Sequence, residues 1–158
     1  MSKEYLSIYL NDHLAGANIA IEILEHLASE TSELSSSLAS LKAEIEEDRK
    51  QLKALMARHK IEESSVRKAG GWLAELLTEI KLEVDDDPEG PLRRLERLEA
   101  LAIGIEGKIA LWRALQTAAL ANGDIQDVDY ERLKQRGYDQ RARVEALRLQ
   151  AARAALAA

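Results

Sequence analysis

Leu6, Leu10, His13, Ala17, Ala20, Leu24 and Leu27 recur at spacings of three and four. Only a helix with one face turned toward other helices brings such positions into a single stripe. A second stripe follows at once: Leu34, Leu38, Leu41, Ile45, Asp48, Leu52, Leu55 and His59. The two predict helices over about 3–29 and 32–60. Between them stands Ser29-Glu30-Thr31-Ser32, whose short hydroxyl side chains are suited to cap the second helix. So short a link makes the two helices antiparallel neighbours.

The pattern breaks at 61–65 and resumes in a shorter segment, about 64–84, with Val66, Ala69, Leu73, Leu76, Leu77 and Ile80 inward. Asp85-Asp86-Asp87-Pro88-Glu89-Gly90-Pro91 is the clearest loop, and Pro91 fits the first position of the next helix. That helix is predicted over 91–121, with Leu95, Leu98, Ala102, Ile105, Ile109, Trp112 and Ala119 inward. Asn122-Gly123 suits a left-handed C-terminal cap. Asp127 or Asp129 is placed to cap a last helix over 129–156, which turns Leu133, Gly137, Gln140, Val144, Leu147, Ala151 and Ala154 inward.

Pairing positions equidistant from each turn tests both hairpins. The first gives Leu24 with Leu38, Ala20 with Leu41, Ala17 with Ile45 and His13 with Asp48. The second gives Trp112 with Gly137, Ile105 with Val144 and Leu98 with Ala151. Bulky residues meet small ones, as a dense core requires, and the two polar intruders of the first hairpin meet each other. The expected fold is therefore all-α: one domain over 1–158, an antiparallel bundle of two long helical hairpins joined by a shorter third helix. If that connection runs back along the bundle, the second turn lies at the opposite end from the first. His13 and Asp48 stand about 17 residues from their own turn, roughly 26 Å along the axis. The return path is the expected one, and counting from the second turn then puts Gln116 beside them, whereas two turns at one end would bring up Gln140.

Composition bounds what such a bundle does. Aromatic residues make up 4% of the chain and phenylalanine is absent, so leucine, isoleucine and alanine fill the core, as helix packing favours. There are no cysteines, which removes disulfides and thiolate metal sites. Charged residues reach 32% and no apolar run approaches the roughly 20 residues of a membrane span. The start, Met1-Ser2-Lys3-Glu4-Tyr5, lacks the pattern of a secretory signal, and a cytoplasmic location is expected. A net charge of −6 opposes nucleic-acid binding. The arginines of the last helix (Arg132, Arg136, Arg141, Arg143, Arg148 and Arg153) alternate with Glu131, Asp139 and Glu145 and read as a solvated face.

Lys68-Ala69-Gly70-Gly71-Trp72-Leu73-Ala74-Glu75-Leu76-Leu77 carries one resemblance. So does the run from Gly90-Pro91-Leu92 through Gly104-Ile105-Glu106-Gly107-Lys108 to Trp112-Arg113-Ala114-Leu115. Both resemble a group of small bacterial helical proteins of ferritin-like shape, mostly uncharacterised. The resemblance implies a fold and no chemistry. A ferritin-like di-iron centre needs Glu-x-x-His on two helices. Leu10, Ile23 and Met56 stand three residues before His13, His26 and His59, so that motif is absent.

His13 and Asp48 are the pair of most interest. Facing each other, an imidazole and a carboxylate make a charge-assisted hydrogen bond that fixes helix register. The alternative is a metal or small-ligand site, for which two ligands fall short of the usual three or four. Glu22 and His26, one turn apart, read as a surface pair, and His59 as a residue closing its helix. Gly104 and Gly107 each cost about 1 kcal/mol inside a helix. Close approach of the third helix is the expected compensation, and a notch for a ligand the other. No nucleophile and base are spaced for catalysis, and no cofactor is implied. The expected function is non-enzymatic, through the bundle surface, as a homo-oligomer or adaptor. Apolar positions off the main stripes (Ile19, Ile23, Ile103, Leu111, Leu149 and Leu156) are the candidate contacts.

Overall fold

The computed structural model describes residues 2–30, 32, 34–64, 90–121 and 123–157. The shorter third helix expected over 64–84 falls almost entirely outside them, as does Gly70-Gly71. Four long helices make up the described chain: α1 (Lys3–Glu30), α2 (Ser35–Arg58), α3 (Pro91–Ala119) and α4 (Tyr130–Leu156). A single 3-10 turn, Gly123–Ile125, lies between α3 and α4. At 1.5 Å per residue these helices are roughly 36–44 Å long.

Their ends follow local chemistry, partly as expected. Gly90 is extended and Pro91 opens α3. Asp129 caps α4 by accepting the Arg132 backbone N–H at 3.0 Å. The hydroxyl link before α2 caps differently: Leu34 holds the N-cap without a side-chain bond, and Ser35 Oγ donates to the Ser32 carbonyl at 2.8 Å. Gly123 is not left-handed, since it begins the 3-10 turn. The left-handed residue is Lys60, with φ of 52°, just beyond the His59 cap of α2. It lets Ile61 N–H reach the Met56 carbonyl at 2.9 Å and Lys60 N–H the Ala57 carbonyl at 3.0 Å, a Schellman closure. Ile61 thereby folds back into the core.

The two turns lie at opposite ends. Glu30, at the end of α1, pairs with Arg94 and Arg97 in the first turns of α3. At the other end Leu6, Leu55, Met56 and Ile61 pack with Leu115, Ala119, Ile125 and Tyr130. Buried Asn11 holds the chain leaving α2 against α1, donating to the Glu62 carbonyl at 3.1 Å and accepting from Ser64 N–H at 2.8 Å. The chain thus passes Asn11 at residue 64 and re-enters near Glu30 at residue 90.

Burial follows the stripes, with α1 buried on two sides because it touches both α2 and α3. Leu111 is buried in the core and is removed from the spare apolar set. Ile19 and Ile23 are partly buried around Ala100, while Ile103, Leu149 and Leu156 are exposed. Trp112 is buried as expected, but Gly137 sits over Ile109, one turn away. Apart from the small group around Ala100, the core of the described residues falls into two apolar clusters. One gathers Leu10, Leu14, Leu52 and Trp112, the other Ala20, Ile45, Ile105 and Val144.

Candidate functional site

Between these two clusters runs a polar layer. On α2 it contains Asp48, only 2% exposed, with Glu44 one turn before it. On α3 it contains Lys108, and on α4 Arg136, Gln140 and Arg143. Lys108 Nζ donates to Asp48 Oδ2 at 2.5 Å. Arg136 donates through Nε at 2.7 Å and again through Nη2 to Oδ1. Gln140 Nε2 donates to Asp48 Oδ2 at 3.1 Å and to Glu44 Oε2 at 3.3 Å, while its Oε1 accepts from Lys108. Arg143 completes the layer by donating to Glu44 Oε2 at 2.8 Å. A carboxylate this deep is tolerable only because its lone pairs are filled by charged donors. Burial pushes the Lys108 ammonium below its ordinary pKa, against the opposing pull of Asp48.

Two expectations are corrected here. His13 is not a partner of Asp48. Its ring stands edge-on to Tyr9 with centroids 4.7 Å apart, and burial lowers its pKa from 6.5 to about 4. The imidazole is therefore neutral, and the full charges of Lys108 and Arg136 take the carboxylate instead. Second, Gln140 joins the layer while Gln116 is remote, held by Glu131 and Lys134. The two turns do lie at opposite ends, while the return path itself falls on residues outside the described ones. The counting failed. Ten residues, 120–129, separate α3 from α4, and beyond the short 3-10 turn they extend neither helix along its axis. Counting from the true helix ends, Ala119 and Tyr130, reaches Lys108 and Gln140.

His13 nonetheless occupies the expected level. It shares with Asp48 and Lys108 the lining of a small, partly open and mostly apolar cavity of about 30 Å³, between α1, α2 and α3. Gly16, Gly104 and Trp112 also line it. Among the described residues no atom lies within 4 Å of a Cβ built at Gly104, which lines the cavity. The neighbour expected to approach it, the third helix, lies outside the described residues. Trp112 Nε1 is buried without a hydrogen-bond partner among the described residues.

A metal at this place meets a physical objection, because Asp48 is already compensated by two cations that repel a third. Among the described residues no three His, Asp or Glu side chains gather as a metal would need. Glu22 and His26 are both exposed, and His59 Nε2 is buried without a hydrogen-bond partner among the described residues. Most arginines of the last helix are engaged: Arg136 and Arg143 in the layer, Arg141 with Glu106 and Arg148 with Glu99 and Glu145. No described helix is long and apolar enough to cross a membrane. No protein-family model, curated protein or solved structure matches the chain.

Proposed function

We propose that this protein is a non-enzymatic bundle of ferritin-like shape that works by holding other helices on its surface, a second copy of itself first among them. One observation carries the reading. The early part of α1 and the late part of α3 border an open groove of about 520 Å³, floored by Leu6, Leu115, Ala114 and Ala118. Tyr5 and Ile8, 74% and 54% exposed, stand at its margin. Apolar knobs and a small-residue floor on one face make that face self-complementary, as a two-fold interface needs. The two hairpins with turns at opposite ends support the ferritin-like shape.

Sedimentation velocity and light scattering from low to high micromolar concentration test the association. The expected result is a concentration-dependent dimer that Ile8→Glu converts to monomer without loss of helicity. A strict monomer at high micromolar concentration would overturn the reading.

A further inference from the structure

The α1 wall of the groove carries a pattern that the surface reading leaves unused. Tyr5, Ile8, Tyr9 and Asp12 follow one another at spacings of three, one and three, which sets them in one stripe along two turns. That spacing is the same read from either end. A second α1 laid against the stripe in the opposite direction therefore places residue 5 beside residue 12 and residue 8 beside residue 9. The chemistry at those places is complementary. Ile8, 54% exposed, meets the half-buried Tyr9 ring. Tyr5, 74% exposed, brings a phenol O–H to a carboxylate. Neither the Tyr5 hydroxyl nor the Asp12 carboxylate has a hydrogen-bond or ion-pair partner among the described residues. Partial burial already raises the pKa of Asp12 above the ordinary carboxylate value, so covering it further calls for a donor. On the opposite wall Ala114 and Ala118, one turn apart, keep the groove low enough for a helix to enter.

We infer that two copies of this chain pair through antiparallel α1 helices, with the two-fold axis between Ile8 and Tyr9, and that the Tyr5 hydroxyl of each donates to the Asp12 carboxylate of the other. The inference rests on the surface reading and adds to it the register and the residue that enforces it. Asp12 is the specificity determinant. A helix without a donor at its level would bury the carboxylate unpaired, which disfavours foreign apolar helices. A copy slipped by one turn strands both carboxylates in the same way. A parallel copy in register sets Asp12 against Asp12 and is repelled.

The chain has no cysteine, so introduced thiols report single contacts in the full-length protein. Under mild oxidation Ile8→Cys is expected to form a disulfide-linked dimer, because position 8 lies only about 1.5 Å along the axis from its own mate. Tyr5→Cys is not, since its mate lies about 10 Å along the axis, and it links only when mixed with Asp12→Cys. Sedimentation supplies the energetic test. Tyr5→Phe loses two bonds to charged groups per dimer and is expected to raise the dimer Kd about tenfold or more. In an Asp12→Ala background the same change has no further effect. Self-linking of Tyr5→Cys, no link in an Ile8→Cys protein that sediments as a dimer, or a Tyr5→Phe dimer as tight as the parent's would each overturn this pairing and leave the dimer itself in place. A parent that stays monomeric would overturn the surface reading and the pairing together.

Discussion

Exchanging Asp48 for asparagine keeps the shape of the side chain and removes its charge. In the folded protein that carboxylate accepts from Lys108, from two nitrogens of Arg136 and from Gln140. The side chains of Lys108 and Arg136 are themselves only 14% and 19% exposed, so water cannot replace what the carboxylate supplied. Breaking a buried pair from one side leaves uncompensated charge and costs about 3–5 kcal/mol. For a chain of this size that corresponds to a fall in melting temperature of roughly 6–20 °C. Part of the loss is recoverable. Asp48→Asn with Lys108→Met removes one stranded cation and is expected to regain about half. Urea unfolding followed by circular dichroism, with the parent and the two variants compared at one pH, measures each term. A loss below about 1 kcal/mol for Asp48→Asn would mean that the layer is hydrated and its ion pairs are not buried.

Protonation of His13 gives a second handle. Its pKa is near 6.5 unfolded and about 4 folded, so between those values the unfolded chain binds more protons and stability falls as pH falls. The loss approaches about 3 kcal/mol by pH 4, and His13→Gln is expected to flatten that part of the pH–stability curve; an unchanged slope would refute the assignment. Gly137→Ala brings a Cβ within 2.7 Å of Ile109 Cγ1 in a closed part of the core. It is expected to cost about 1–3 kcal/mol, relieved by Ile109→Val, and a rise in stability would show the site to be loose. Gly104→Ala is the opposite case: with no atom of the described residues near the new methyl, helix propensity alone adds about 1 kcal/mol, read as a higher urea midpoint.

Periodicity made the helices legible, because a stripe at spacings of three and four has one physical interpretation. The bounds of α1, α3 and α4 follow within two residues. Periodicity says nothing of how far a link reaches, and the ten residues between α3 and α4 displaced the expected layer from Gln116 to Gln140. The layer itself was half visible. Asp48 and Gln140 stood out as polar residues within apolar stripes. Lys108 and Arg136 flank their stripes and reach inward on long side chains, so they read as surface. The signal that does find them is charge complementarity: Glu44 and Asp48 stand one turn apart on α2, and Arg136, Gln140 and Arg143 stand at matching intervals on α4. Lys60 escaped notice for another reason, because a left-handed closure is usually written with glycine.

The layer draws its negative charges from the first hairpin and all its cations from the second. Neither hairpin alone satisfies its own share. A fragment ending at residue 64 carries Glu44 and Asp48 without their cations, and one beginning at residue 90 carries Lys108, Arg136 and Arg143 without their anions. The two pieces are thus opposite halves of a key. Sliding one past the other by a helical turn sets ions against leucine, so the fragments have a single register in which to rejoin. Cut in the intervening segment, the protein is expected to reassemble from its halves with high fidelity, and to do so more slowly as salt screens their attraction.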